Sequence, residues 1–266
     1  MTEFIIPGPA WLFCPADRPE RFEKATAAAD LVILDLEDGV GADHKDAARA
    51  AVAASSLDPS RTVVRVSADI ESDLDAVRQA GYTLVMLPKA ESAEQVSVLA
   101  PLQVIALAET PRGVLRAAEL AAAAPTIGMM WGAEDLVAAL GGGSSRYAAG
   151  SYRDVARHAR SAVLLAAAAC GRFALDAVHL DIGDLDGLRA EAQDAAAVGF
   201  AGTVCIHPSQ VPVIREAYRP AAEDVGWAER VLAAAESAGA VFIFEGRMVD
   251  APLLRHAESI LRRSSA

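Results

Sequence analysis

Apolar residues along the chain gather into eight short runs rich in Val, Ile and Leu. They are WLFCP (11–15), LVILDLED (31–38), TVVRVS (62–67), LVMLPK (84–89), VIALAE (104–109), IGMMWG (127–132), LDAVHL (175–180) and GTVCIHP (202–208). Each is too brief for a helix and apolar at nearly every position, the pattern of a strand buried on both faces. Ala-rich, charge-bearing stretches with helical spacing separate them, among them RPERFEKATAAA, HKDAARAAVAA, PRGVLRAAELAAA and DVARHARSAVLLAAAA. Several open on Pro, Ser or Asp and close near Gly, as helices do. Strand then helix, repeated eight times in roughly 210 residues, predicts an α/β fold, the (β/α)8 barrel. An open doubly wound sheet is the competing arrangement. It is disfavoured because no G-x-G-x-x-G follows the first strand and no run reads as an edge strand.

Two segments exceed the barrel rhythm. Between the sixth and seventh runs the chain passes through LGGGSSRYAAGSYRD, which reads either as a mobile cover over the strand ends or as a plain surface insertion. After the eighth run come a helix at about 209–218, a turn at Pro220, a helix at about 223–237, the apolar run AVFIFEG and a helix starting near Pro252. The expected organisation is a barrel domain over 1–219 and a C-terminal helical extension over 220–266. AVFIFEG and the final helix would expose an apolar patch on a monomer, which predicts burial against another subunit.

Composition narrows the partners. With 53% hydrophobic and 23% charged residues, the chain is neither disordered nor fibrous. Its formal net charge of -12 disfavours nucleic acid and anionic membranes, so an anionic ligand must be held by a local Arg or Lys cluster or by a cation. Cys14, Cys170 and Cys205 show no metal-ligand spacing and read as free thiols in a reducing cytosol. No basic stretch and apolar core open the chain as a signal peptide would, and no apolar run is long enough to span a bilayer.

In a barrel of this kind the active site lies at the C-terminal strand ends, so the polar residues closing each run carry the candidate chemistry. They are Asp35, Glu37 and Asp38, Arg65, Lys89, Glu109, Glu134 and Asp135, Asp181 and His207. Several carboxylates, one His and no Cys pair suit a hard cation, Mg²⁺ or Mn²⁺, better than zinc. Glu109 and Asp135, from adjacent strands, are the simplest ligand pair. Taken singly, each carboxylate also reads as an ordinary N-cap. Arg65 closes a buried strand, where a guanidinium needs an anion: Glu37 or Asp38, or a substrate carboxylate or carbonyl. Lys89 fits a similar anion contact or, as a competing reading, a Schiff base. His207, before Pro208, is expected to orient a neighbour rather than bind metal.

The stretches WLFCPADRPERFEKA, ADLVILDLEDGV with KDAAR downstream, TVVRVSA, VMLPKAES, IALAETPRGV, GMMWGAEDL, AVHLD, GFAGTVCIHPSQ and FEGRMVDAPLLRHA together resemble the HpcH/HpaI aldolase superfamily. Within it, the chain is similar to the citrate lyase beta subunit and its stand-alone relatives, the malyl-CoA, methylmalyl-CoA and citramalyl-CoA lyases. The resemblance covers nearly the whole chain. It implies a Mg²⁺ held by Glu109 and Asp135, with Arg65 on the keto-acid or thioester oxygen. Glu37 and Asp38 would order metal-bound water and Arg65. Asp250 would act as acid or base in a neighbouring subunit's site, and Arg18 and Lys24 would grip the CoA nucleotide. A homotrimer, acyl-CoA thioesters and small keto acids are the implied partners.

The departures are Ser67, where the family commonly has Asn after R-V, and Thr203, where a Lys commonly precedes I-H-P. The implied activity is carbon–carbon cleavage of a hydroxy-dicarboxyl CoA thioester, or the reverse condensation. Two other readings stay open: a class II pyruvate-type aldolase acting on free keto acids, and a non-catalytic subunit of a lyase complex.

Overall fold

The structure is a computed structural model and describes residues 4–264. Eight parallel strands close into a barrel in chain order: β1 (Ala10–Pro15), β2 (Leu31–Asp35), β3 (Thr62–Arg65), β4 (Leu84–Leu87), β5 (Gln103–Ala108), β6 (Thr126–Trp131), β7 (Phe173–Asp176) and β8 (Gly202–Cys205). β8 returns to β1 through the pairing Ala10↔Thr203. The expected (β/α)8 architecture is therefore present, and with no edge strand the doubly wound sheet is excluded.

Side-chain parity explains what each strand delivers to its upper end. Leu31 and Ile33, Val63, Ile105 and Leu107 belong to the interior cluster that also holds Trp11, Leu84, Met86, Met130, Leu175 and Val204. Successive strand residues alternate faces, so continuing each strand by two places brings Asp35, Arg65 and Glu109 onto the same inward face. The polar rim is thus the top layer of the apolar core. Small residues make room within it. A Cβ on Gly132 would stand 2.7 Å from Glu109 Oε2, and one on Gly128 would stand 2.3 Å from the Phe173 ring.

β7 ends at Asp176, so the run expected at 175–180 is a strand for only its first two residues. Asp176 has the parity opposite to Leu175 and leaves the barrel interior. It accepts from Trp131 Nε1 at 2.6 Å and from Arg160 Nη2 at 2.9 Å, linking β6 and β7 to the helix Asp154–Ala169. Asp181 lies in the following loop, where it caps a turn by accepting from the Gly183 N–H at 2.9 Å.

The long connection after β6 is pinned down, which favours the insertion reading over the mobile cover. Ser145 donates to Glu134 Oε1 at 2.6 Å, and Arg146 forks onto Glu191. The Arg146 guanidinium also lies 3.9 Å from the Tyr152 ring centroid, and Tyr152 packs edge-on against Trp131.

The chain divides into two compact units between Ile214 and Arg215, a few residues before the boundary expected at 219/220. The second unit is described by itself. It contains the helix Ala222–Ala235, the hairpin strands β9 (Phe242–Phe244) and β10 (Arg247–Val249), and the helix Ala251–Ser264. AVFIFEG is therefore half of an antiparallel hairpin. Its two-residue turn, Glu245 and Gly246, has φ of +48° and +78°, the geometry that matches strand twist. Ala228, Val231, Val249, Ala257 and Ile260 form the unit's own core, while Ile243 and Met248 stay exposed. None of the described helices is long and apolar enough to cross a membrane.

Candidate active site

Asp35 and Arg65 are register partners on β2 and β3. Arg65 donates from Nε to Asp35 Oδ1 at 2.7 Å and from Nη2 to Oδ2 at 2.6 Å, a two-pronged ion pair. Asp35 also accepts the backbone N–H groups of Glu37 and Gly39, each at 2.8 Å. The D-L-E-D-G turn is thus wound around the Asp35 carboxylate. Gly39 is needed for this approach, because a Cβ there would stand 2.4 Å from Asp35 Oδ2. Lys45, at the start of the helix Lys45–Ala53, fastens the turn from below by donating to the Leu36 and Glu37 carbonyls, both at 2.6 Å.

The turn presents Glu37 and Asp38 to the rim. Arg65 Nη1 stands 3.0 Å from Glu37 Oε2, an ion contact without hydrogen-bond alignment. Burial pushes the Glu37 carboxyl above its ordinary range, opposed by Arg65 and Lys89. Lys89 Nζ donates to Glu37 Oε1 at 2.5 Å and Asp38 Oδ2 at 3.0 Å, and lies 3.5 Å from Asp135 Oδ1. These carboxylates outweigh burial and hold the Lys89 ammonium above its usual range. A Schiff base needs a neutral amine, so this setting argues against that reading.

Arg65's anion is thus chiefly Asp35, which the sequence reading placed on the rim without pairing it. Glu37 is the second partner, and Asp38 turns to Lys89. The guanidinium also lies 4.6 Å from the Phe13 ring centroid, so its hydrocarbon stem and one face are covered. Burial disfavours the cation, but the Asp35 hydrogen bonds and the charges of Asp35, Glu37 and Glu109 hold its pKa above the ordinary value.

Glu109 follows β5 and is 3% exposed. Its Oε1 accepts the Lys89 backbone N–H at 3.0 Å. Burial first, then repulsion from Asp135, pushes its pKa up to about 8. Ionising a buried carboxyl beside a second carboxylate is unfavourable, and a cation would offset that cost. Among the described residues no cluster of three or more His, Cys, Asp and Glu is placed to hold a metal, so a cation here would have two protein carboxylates, Glu109 and Asp135. Such a donor set suits a hard, mostly hydrated ion. Asp135 sits in the first turn of the helix Ala133–Ala139 and is partly open to solvent.

The remaining sequence candidates fall elsewhere. Arg18 and Lys24 are exposed beyond β1, on the loop and on the helix Phe22–Ala28, with Arg18 3.8 Å from Asp17. His207 Nδ1 accepts the Ser209 N–H at 3.2 Å, so it caps the short turn Pro208–Gln210. Asp250 lies in the second unit at the start of the last helix and accepts the Leu253 N–H at 3.4 Å, a helix-capping contact. Cys14, Cys170 and Cys205 form no disulfide, and burial pushes Cys14 up to about 11. Sequence reading missed the Asp176–Arg160–Trp131 cluster. The lone Asp inside L-D-A-V-H-L was the available signal.

The chain is similar to proteins of known structure and activity. Over 261 residues the chain is 66% identical to a citrate lyase subunit beta-like protein of Mycobacterium tuberculosis (strain ATCC 25618 / H37Rv), covering 97% of this chain and 96% of that one. A crystal structure of CitE from the same species, in complex with magnesium, acetoacetate and coenzyme A, superposes with a TM-score of 0.93 at 66% identity. The match covers 98% of this chain and 99% of that one. The mitochondrial citramalyl-CoA lyase of Homo sapiens is 31% identical over 292 residues, spanning 96% of this chain and 84% of that protein. The family model described as HpcH/HpaI aldolase/citrate lyase matches residues 10–208, the whole barrel with the rim just described, and the chain belongs to that family.

Proposed function

We propose that this chain is a Mg²⁺-dependent carbon–carbon lyase acting on a hydroxy-dicarboxyl CoA thioester of the citramalyl-CoA, malyl-CoA or methylmalyl-CoA type. The products are acetyl-CoA or propionyl-CoA and a small keto acid. The observation that carries this reading is the convergence of the buried Glu109 carboxylate and Asp135 on Lys89, whose N–H meets Glu109 Oε1 at 3.0 Å and whose Nζ stands 3.5 Å from Asp135 Oδ1, on the rim that also carries the Arg65 guanidinium. The close relative whose crystal structure contains magnesium, acetoacetate and coenzyme A supports it. The thiol state of Cys14, Cys170 and Cys205 supports a cytosolic setting.

Glu109 and Asp135 would hold the Mg²⁺, which when bound supplies Lewis acidity toward the hydroxyl and carboxylate oxygens of the substrate. Arg65, fixed in orientation by Asp35 and Glu37, would aim charge-assisted donors at the oxygen that gains negative charge as the carbon–carbon bond breaks. Because these donors are already oriented, little reorganisation is needed at the moment of reaction. Glu37 and Asp38 would order water at the rim. Asp250 of a neighbouring protomer would carry the proton to or from the α-carbon of the thioester. Arg18 and Lys24, exposed beyond β1, are free to meet the phosphates of the CoA nucleotide. One-way donation of Asp250 closes naturally in a ring, and the family resemblance implies that this ring is a homotrimer.

Turnover of these thioesters should require Mg²⁺ or Mn²⁺ and stop in EDTA. Glu109→Gln and Asp135→Asn should each abolish it while circular dichroism and the thermal transition stay close to wild type. Full activity in EDTA or in either variant would contradict the metal assignment, and turnover of free keto acids without CoA would favour the aldolase reading.

Arg65→Lys should be nearly inactive although its charge is kept, since a point ammonium cannot reproduce the fork on Asp35 and still offer donors to substrate. Retention of more than about a tenth of wild-type kcat/KM, a loss under about 1.4 kcal/mol, would make Arg65 a structural partner of Asp35.

Asp250→Asn should leave metal binding intact and remove turnover. Co-assembling Asp250→Asn with Glu109→Gln should restore activity in about a quarter of sites, because random mixing places an intact Glu109 beside a donated Asp250 at that frequency. Mixed oligomers as dead as either parent would contradict donation between protomers.

A further inference from the structure

Lys89 follows β4 and is one of two non-glycine residues with positive φ among those described, at +48°. A residue with a Cβ reaches this region at an energetic cost, and such strain concentrates at functional sites. Its contacts show what the conformation accomplishes. The backbone N–H turns onto Glu109 Oε1 at 3.0 Å. Meanwhile Nζ meets Glu37 Oε1 at 2.5 Å and Asp38 Oδ2 at 3.0 Å, and stands 3.5 Å from Asp135 Oδ1. One residue therefore touches four carboxylates that arrive from three separate strand ends.

Arg65 is committed to Asp35 and Glu37, so neutralising Asp38 and Asp135 falls to the Lys89 ammonium. We propose that Lys89 is a positioning residue: its ammonium is a placeholder cation that gathers the rim carboxylates before a divalent ion arrives, while its left-handed backbone fixes Glu109. This inference rests on the metal-dependent reading above and adds a role that reading does not assign. It carries two consequences. The incoming ion competes with the ammonium for Asp135, so the bare metal site is weaker than its two carboxylates alone would make it. After the ion binds, the ammonium still orients Glu37, which in turn braces Arg65.

Two substitutions separate these effects from the backbone strain. Lys89→Met removes the charge and keeps the strained Cβ; Lys89→Gly removes the charge and relieves the strain, so it should fold at least as stably as Lys89→Met. Calorimetric titration of the metal-free protein with Mn²⁺ gives a readout independent of turnover. Both variants should bind Mn²⁺ about two- to fivefold tighter than wild type, the range that a partly exposed charge pair contributes. In both, kcat should fall at least about tenfold with the thioester KM changed less than about twofold, the split expected when positioning is lost and binding is kept. Lys89→Arg, which keeps the charge, should return the Mn²⁺ affinity to near wild type.

Unchanged or weaker Mn²⁺ binding in both Met and Gly variants would overturn the placeholder role, as would wild-type kcat in either. Wild-type protein that binds no Mn²⁺ and turns over in EDTA would overturn this role together with the metal-dependent reading. A metal-requiring wild type beside indifferent Lys89 variants would overturn this role alone.

Discussion

The rim is organised by the Asp35–Arg65 ion pair at the top of two adjacent strands. Both side chains are largely withdrawn from water, and a buried charge is tolerated only when its partner is present and well aligned. Here the alignment is built into the barrel, since the β2–β3 register sets the two residues side by side and strand parity turns both inward. Asp35 then serves as the hub on which the following turn is wound, accepting from Glu37 and Gly39 as well as from Arg65. Removing either member would leave an uncompensated charge at the mouth of the core, at a cost of about 3–5 kcal/mol. It would also release Glu37 and Asp38 from their places. Stability and site geometry share one interaction here.

The same economy appears around β6. Trp131, the last residue of the strand, is held by Asp176 and packs on Tyr152, and three residues beyond Gly132 the chain reaches Asp135. Gly132 itself leaves the space into which the Glu109 carboxylate fits. The long connection that follows is fastened through Ser145 to Glu134, next in sequence to Asp135. The position of one candidate metal ligand therefore depends on packing and ion pairs that lie outside the rim.

The barrel was legible because strands buried on both faces leave near-continuous apolar runs, and their polar last residues mark the functional end. Asp35, Arg65 and Glu109 could each be placed there from sequence alone. Which of them pair could not, because pairing depends on register across strands that are distant along the chain. The sequence leaves Arg65 open to Glu37, Asp38 or a substrate oxygen; Glu37 is a contact, while Asp35 holds the fork and Asp38 turns to Lys89. The end of β7 was misread for a related reason: A-V-H-L continues the apolar pattern after the chain has left the sheet, and Asp176 inside that run faces the helices. In the second unit, Glu245 and Gly246 make AVFIFEG a hairpin strand, a turn signal that the apolar pattern of the run overshadowed.

We propose that the buried Glu109 carboxylate, with Asp135, is a cation site. With its pKa pushed up to about 8, Glu109 is mostly protonated at pH 7 in the cation-free protein and must lose that proton to take a metal. Mg²⁺ titration at pH 7 in buffers of different ionisation enthalpy should therefore show release of close to one proton per site, with affinity rising from pH 6 and levelling off above about pH 8. Release should vanish in Glu109→Gln. Binding that releases no proton and keeps the same affinity from pH 6 to 9 would contradict the claim.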